Sequence, residues 1–366
     1  MDFTWLKGDL HCHCERHELV DELVEGAAGR LDFLAITNHA QKPVLQEQAG
    51  MVARARSLLP RTPVFFGLEW NGPAGRHINV IFPPSPHEAE DALAFAREHD
   101  CIRSGREPNV AAAMSALESL PPDARPIVFF NHPSALMAYR PEHLDQFHAA
   151  GPEVFVGIEA VHGHQAWAHV AAADPCAYPG SCIGGLCDHV YAAGRPFALL
   201  ANSDLHIHKQ RQRPDYPLGV FNLTHVGVGA DAPRERAIFE ALRRGRTCAA
   251  QGAWIELLRF SVGAAALGER CDCECAETLR LELTCAEPLR ALDVIGQWSP
   301  DQPPDLRHAF GAQPEGKLCR ELSIPAGARG FLRLRAIAAR DDRPPPGPPA
   351  PRLFLSSAIL LGPEAR

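Results

Sequence analysis

The sequence contains no long hydrophobic run. Over 366 residues, no apolar segment approaches the roughly 20 residues that a membrane-spanning helix needs. The first residues, Met1 to Trp5, lack the positively charged start and the apolar stretch of a signal peptide. These absences predict a cytoplasmic protein with no membrane partner, whose 12 cysteines are mostly reduced thiols.

The chain also lacks an excess of positive charge. Lys and Arg number 36 against 44 Asp and Glu, which gives a formal net charge of −8. Proteins that bind the phosphate backbone of nucleic acids usually carry a basic surface, so this balance predicts no nucleic-acid partner. What the sequence has in unusual number is histidine, with 18 residues, and only their positions can show what they do.

Up to about residue 252, short apolar runs alternate with amphipathic segments. Each run has the length of a strand that is buried on both faces, as strands in parallel sheets are. The runs are Leu6–His11, Leu31–His39, Val64–Trp70, His77–Phe82, Ile127–His132, Val154–Val161 and Phe197–His206. Helical patterns lie between or after them, at Glu18–Gly29, Pro86–His99, Val110–Leu120 and Pro233–Arg243. This alternation predicts an α/β fold with a parallel sheet, and seven strands favour its closure into a barrel.

From about residue 253 the pattern changes to strict alternation of apolar and polar residues, as in Leu279–Thr284 and Phe331–Ala336. Alternation of this kind is typical of antiparallel strands with one face in water. We therefore expect residues 1–252 to form the barrel and residues 253–366 to form a small antiparallel β-sandwich. This accessory domain is expected to supply no catalytic ligands, because it contains a single histidine, His308.

Histidine and carboxylate residues stand at the ends of the predicted barrel strands. The C-terminal ends of the strands of an α/β barrel meet on one face, where active sites lie. Imidazole and carboxylate groups are ligands for Zn, Mn and Fe ions. One such residue alone is more often structural, but repetition at equivalent positions predicts a metal centre. The residues concerned are His11, His13, His39, Glu69, His77, His132, Glu159, Asp204 and His206.

Four of these residues form two pairs, each with one residue between its members: His11-Cys12-His13 and Asp204-Leu205-His206. Residues i and i+2 of a strand point to the same side, so both members of a pair can bind one ion. The intervening Cys12 and the following Cys14 point away from the pair and are expected to pack in the core.

Taken in order, these motifs resemble the PHP (polymerase and histidinol phosphatase) superfamily. The resemblance covers about residues 5–252, and the spacing is most similar to the branch of stand-alone metallohydrolases that includes carbaryl hydrolase. It implies a distorted seven-stranded (β/α) barrel with up to three divalent metal ions. The implied ligand sets are His11, His13, Glu69 and Asp204 for one ion, His39, His206 and a loop residue for a second, and Glu69, His77 and His132 for a third.

The sequence departs from the family pattern at two places. The loop after His13 is shorter than usual, which leaves His17 as the candidate loop ligand and Asp21 as the alternative. Asn38 stands before His39, where the family usually has a carboxylate. The loss of that carboxylate is expected to weaken the hold of His39 on its ion.

Three residues on the same face are candidate catalytic groups: Glu159, His162 and Arg76. His162 could contact the substrate or donate a proton, although a solvated loop explains it equally well. Arg76 and the basic run His208–Arg213 suit an anionic substrate. A solvated basic loop is again the alternative for that run.

The sequence thus predicts a hydrolase with two or three divalent ions (Zn, Mn or Fe), in which a metal-bridged water attacks a small anionic substrate. Several cations near one another favour a phosphate ester, because its transition state spreads negative charge over several oxygens. Hydrolysis of a carboxylic ester or a carbamate is the second hypothesis. A PHP-like binding module without activity is the third, and the complete set of ligands weighs against it. The sequence does not predict an oligomeric state.

Overall fold

In the computed structural model of the chain, the described residues are 3–133, 139–161, 178, 180–207, 217–229, 232–340 and 352–364. The strands of the first part are β1 Thr4–Cys12, β2 Phe33–Ile36, β3 Val64–Asn71, β4 His77–Phe82, β5 Ile127–Phe130, β6 Phe155–Val161, β7 Ala198–Ala201, β8 Asn222–Val228 and β9 Thr247–Gln251. The helices are α1 Val20–Ala27, α2 Gln48–Leu58, α3 Glu88–His99, α4 Cys101–Ser104, α5 Val110–Glu118, α6 Pro141–Ala150, α7 Leu186–Ala192 and α8 Arg234–Arg243. None of these helices has the length and hydrophobicity of a membrane-spanning segment.

The first seven strands are neighbours in chain order within one large sheet. The pairs β1–β2, β2–β3, β5–β6 and β6–β7 are parallel, as the sequence predicts. The prediction is wrong for β4, which is antiparallel to both β3 and β5. The segment between Asn71 and His77 is too short for a parallel crossover, which takes about a dozen residues or more. His77 therefore pairs with Asn71, and the start of β4 lies where β3 ends.

The large sheet and the helices between its strands confirm the predicted α/β class, but the described strands do not form a closed barrel. The chain after β7 approaches β1 through a single parallel bridge between Cys12 and Leu205. Two backbone hydrogen bonds accompany it: the amide of His13 donates to the carbonyl of Leu205 at 2.7 Å, and the amide of Asp204 donates to that of His11 at 2.8 Å. This contact places the two predicted ligand pairs side by side.

Apolar side chains from β1 to β8 and from α8 form one buried cluster. Phe65 of β3 and Phe239 of α8 meet edge to face there, with ring centroids 5.2 Å apart. Both are buried. Burial of a ring of this size stabilises the fold by about 2–3 kcal/mol, so this core holds the strand ends in fixed positions.

Strands β8 and β9 continue the large sheet beyond β1, and β9 then pairs with a strand from the C-terminal part of the chain. The C-terminal strands are β10 Ile255–Val262, β11 Ala265–Ala266, β12 Arg270–Cys271, β13 Glu277–Cys285, β14 Leu289–Gln297, β15 Asp305–Ala309, β16 Gly316–Ile324, β17 Gly330–Ala338 and β18 Leu353–Leu361. Four of them form a separate antiparallel sheet in the order β11-β10-β13-β16. Strands β14, β15, β17 and β18 extend the large sheet through the β9–β18 pair. The antiparallel pairing is as predicted except for the short pair β12–β18, which is parallel. The division at residue 252 stays a prediction, since one sheet runs across it.

Candidate metal centre

A bulge at the end of β1 sets the direction of the first ligand pair. Asp9 pairs with Leu34 and Cys12 pairs with Ile36, so β1 has one residue more than β2 in this interval. Bulges re-aim the side chains that follow them and are common beside active sites. After the bulge, the Nε2 atoms of His11 and His13 lie 3.3 Å apart. Cys12 is buried in the hydrophobic core, as the alternation of side chains predicts.

Glu69 of β3 lies at the centre of the predicted ligands. Its side chain is 1% exposed, and each of its carboxylate oxygens faces more than one imidazole. A carboxylate in this position would be among the residues that hold divalent ions at this centre. The distances to the nearest Glu69 oxygen are 2.8 Å for His39 Nδ1, 2.9 Å for His77 Nδ1, 3.2 Å for His132 Nε2, 3.4 Å for His11 Nε2 and 3.5 Å for His13 Nε2.

Asp204 completes the centre from the chain after β7. Its Oδ1 lies 3.2 Å from His11 Nε2, 3.3 Å from His13 Nε2 and 3.6 Å from His206 Nδ1. Asp204 and His132 have φ values of 52° and 24°, in the left-handed region that residues with a side chain rarely adopt. Such strain costs about 1–3 kcal/mol and is concentrated at functional sites.

The described residues include four overlapping groups of ligand atoms, and within each group all atoms lie within 4.8 Å of one another. Shared members join the groups into one centre. The groups are His13, His39 and His206; His11, His132 and Asp204; His11, His13 and Glu69; and His39, Glu69 and His77.

The polar atoms of this centre fit a cation better than they fit one another. His39 Nδ1 lies 2.8 Å from Glu69 Oε2, yet neither atom has a hydrogen-bond partner among the described residues. Within the same part of the chain, the Nδ1 atoms of His13 and His132 are also buried without a partner. A buried polar atom left without a hydrogen bond costs about 1–3 kcal/mol. Divalent ions would satisfy nitrogen and oxygen atoms of this kind, and Zn, Mn and Fe accept that ligand set.

The electrostatics of the centre favour positive charge. Burial opposes the charged form of His11, but the three surrounding carboxylates outweigh it and raise the pKa of His11 well above its ordinary value. Burial and the neighbouring imidazoles lower the pKa of His13 well below its ordinary value. Burial would raise the pKa of Glu69, yet the imidazoles around it hold that pKa well below its usual range. Glu69 therefore stays ionised and can bind cations.

Glu159 of β6, predicted as a catalytic group, has both carboxylate oxygens occupied. His11 Nδ1 donates to its Oε1 at 2.9 Å, and the Asn202 amide donates to the same atom at 3.0 Å. Its Oε2 accepts the backbone amide of His132 at 2.6 Å. These contacts involve both carboxylate oxygens and orient His11 and His132, so the geometry supports a positioning role.

Of the other two predicted catalytic residues, the structure describes Arg76 but not His162. Arg76 is half-buried beside His77, and its guanidinium lies 5.9 Å from the centre of the Tyr139 ring. Its buried Nε has no hydrogen-bond partner in the part of the chain that the structure describes. His162 lies outside the described residues, as does the basic run His208–Arg213.

The candidate loop ligands do not join the centre. His17 is exposed at the start of a short 3₁₀ helix, His17–Leu19, and its ring lies close to Gly50 of α2. Asp21 is exposed and forms a two-fold hydrogen-bonded ion pair with Arg54, at 2.8 and 2.7 Å. The geometry thus brings together eight of the nine predicted metal ligands, all except His17.

Two asparagines support the centre and were not among the predicted site residues. The Asn131 amide donates to Glu69 Oε1 at 3.0 Å, and Asn202 connects Glu159 to the backbone of Leu10. Both stand next to strand-end motifs, and that position is the signal that could have found them. Asn38 exchanges two hydrogen bonds with the backbone of Cys14, both at 2.9 Å, and so fixes the start of the loop after His13.

No family model and no curated protein matches the sequence. Among solved structures, the chain is similar to Endonuclease Q in complex with a 27-mer duplex substrate that has an abasic lesion at the active site. The TM-score is 0.38 and the identity is 14%, and the match covers 66% of this chain and 56% of that chain. This chain therefore spans little more than half of that protein's length.

This comparison corrects one prediction. The net charge of −8 predicts no nucleic-acid partner, but the similar structure holds a nucleic-acid duplex. Net charge is a sum over the whole chain and does not describe one site. A centre that holds several cations can bind a phosphodiester even when the rest of the surface is acidic.

Proposed function

We propose that the chain is a PHP-like metal-dependent hydrolase that acts on phosphate esters. The observation that carries this proposal is the convergence of six imidazoles and two carboxylates, Glu69 and Asp204, at one edge of the large sheet. Divalent ions bound there would supply a water of lowered pKa and neutralise the charge that develops on the substrate's oxygens.

The residues of the chain have separate tasks in this proposal. Glu69 and Asp204 hold the imidazoles and the ions together, because each carboxylate lies near several ligands at once. Glu159 keeps His11 in one orientation through the hydrogen bond at Nδ1, which leaves Nε2 to face the centre. These fixed groups need little reorganisation when substrate binds, and such preorganisation is the main contribution of a protein to electrostatic catalysis.

A phosphate ester is favoured over a carboxylic ester by the positive charge that the bound ions and the neighbouring Arg76 would provide. The ligand groups overlap through His11, His13, His39 and Glu69, which suits two or three neighbouring ions. Arg76 adds a cation beside His77, and its buried Nε has no hydrogen-bond partner among the described residues. A phosphoryl group distributes negative charge over several oxygens and uses each of these cations.

The experiment that tests the proposal compares substrate classes on metal-loaded protein. The panel contains an aryl phosphomonoester, an aryl phosphodiester, a duplex with an abasic site, an aryl acetate and an aryl carbamate. We expect metal-dependent turnover of at least one phosphate ester, with a kcat/KM at least about tenfold above that of the acetate and the carbamate. Faster turnover of the acetate or carbamate would show that the carboxylic ester or carbamate hypothesis is the correct one.

A pair of arginine variants tests whether Arg76 helps to bind the substrate. Arg76→Gln is expected to raise KM for an anionic phosphate ester about tenfold, the loss of one charge-assisted hydrogen bond. Arg97→Gln, which changes an exposed arginine on α3, is the matched control and should leave KM unchanged. Equal effects of the two variants would contradict a role for Arg76 in binding.

A further inference from the structure

A cavity lies between the large sheet and the four-stranded sheet, away from the metal centre. It has a volume of about 340 Å³, within the range of small-molecule sites. Strands β1 and β8 form one wall through Trp5, Lys7 and His225, and Trp254 with β10 forms the opposite wall. Lys7 is four residues before His11 on β1, roughly 13 Å along the strand. The metal ligands do not line this cavity.

The walls are suited to a flat aromatic molecule. Trp254 is buried, and its Nε1 donates to the carbonyl of Gln251 at 2.8 Å, which fixes the orientation of its indole ring. Trp5 is half-buried on the facing wall, and Phe354 of β18 also lines the cavity. A well-oriented pair of aromatic rings contributes about 0.5–1.5 kcal/mol of stabilisation in addition to the effect of burying their surface.

Two polar groups, Lys7 and His225, line the same part of the cavity. Lys7 and His225 are directly opposite each other in the β1–β8 pair. Among the residues that the structure describes, none forms an ion pair with the ammonium of Lys7. The Nε2 atom of His225 is buried and has no hydrogen-bond partner among these described residues. Burial and the charge of Lys7 lower the pKa of His225 to about 4, so its imidazole is neutral and Nε2 can carry a proton to donate.

We infer that this cavity binds an aromatic carboxylate, whose ring packs against Trp5 and Trp254 and whose carboxylate meets Lys7 and His225. The ammonium supplies the charge that distinguishes an anion from a neutral molecule. A buried imidazole that donates one hydrogen bond fixes the orientation of the group. Glu256 is exposed on the rim of the cavity, and its negative charge would repel an anion. Its replacement therefore tests whether the bound molecule is negatively charged.

The experiment is calorimetric titration of the full-length protein with 2-naphthoate, and with 2-naphthamide as a neutral molecule of the same shape. We expect saturable binding of naphthoate, and binding of the amide at least about tenfold weaker. The titration is repeated in the presence of a chelator, because a carboxylate can also bind metal ions. Unchanged binding after metal removal is expected; loss of binding would place naphthoate at the metal centre and overturn the inference.

Charge variants complete the test. Lys7→Gln should weaken naphthoate binding at least about tenfold, whereas Glu256→Gln should leave it unchanged or strengthen it. Lys317→Gln alters an exposed lysine of β16 and should have no effect. The inference would be wrong if naphthoate showed no binding up to about 1 mM. It would also be wrong if Lys7→Gln bound naphthoate as the parent does. Glu256→Gln keeps the test decisive if the Lys7 variant folds poorly, since weaker binding in Glu256→Gln would exclude an anion in this cavity.

Discussion

Replacement of Glu159 by glutamine tests how the metal centre is held in place. The carboxylate is fully buried and accepts three hydrogen bonds, from His11 Nδ1, the Asn202 side chain and the His132 backbone amide. Glutamine has the same size but only one oxygen. Whichever way its amide is turned, an NH₂ group faces at least one donor that Glu159 accepts.

The expected cost follows from these contacts. A hydrogen bond to a charged acceptor is worth about 1.5–3 kcal/mol, and one is lost in either orientation of the glutamine. Since about 1.4 kcal/mol corresponds to a factor of ten, the affinity for the ion bound by His11 should fall about 10- to 100-fold. At saturating metal the turnover number should recover to within about threefold of the parent, because the ligands themselves are intact.

The assay is competition for Mn or Zn against a chromophoric chelator, followed by turnover measured across metal concentrations. Glu153→Gln, an exposed carboxylate before β6, is the matched control and should bind metal as the parent does. Normal metal affinity combined with lost turnover would show that Glu159 takes part in the reaction itself, as the sequence predicts. Normal values of both quantities would refute the positioning role.

Three further predictions concern other parts of the molecule. Arg333→Met should lower the free energy of unfolding by about 3–5 kcal/mol in denaturant titrations, because it leaves the buried carboxylate of Asp188 without its partner; an effect below about 1 kcal/mol would contradict this. Burial and Arg195 lower the pKa of His148 to about 4, below its unfolded value, so the unfolded state binds the extra proton first and stability falls as pH drops from about 6.5 to about 4. His148→Gln should reduce that fall by about 1–3 kcal/mol, and an unchanged pH dependence would refute the assignment. His17→Ala should leave metal content and turnover unchanged, since His17 is exposed outside the ligand groups; loss of one ion would restore it as a ligand.

The positions of the ligands could be predicted because they depend on local periodicity. His11 and His13 project to one side of a strand, and strands in chain order bring their ends together in a parallel sheet. The same reasoning placed Glu69 and Asp204, which the structure brings within 3.5 Å of one or both of these imidazoles. Neither inference needed knowledge of a distant contact.

The features that were missed depend on pairing between segments far apart in the chain. The bulge in β1 is defined only by its register with β2, and the β9–β18 pair joins residues about a hundred positions apart. The direction of β4 is different, because the short connection before His77 already excludes a parallel crossover. The role of Glu159 follows from hydrogen bonds to His11 and His132, which strand-end position alone does not reveal.

The most direct test of the metal centre is elemental analysis of the purified protein after reconstitution with Mn, Zn or Fe, together with the Asp204→Ala variant. Asp204 lies within 3.3 Å of both His11 and His13, so its removal should release at least one ion. The account predicts two or three ions per chain in the parent and a lower content in the variant. Less than one ion per chain in the reconstituted parent, or an unchanged content in Asp204→Ala, would contradict it.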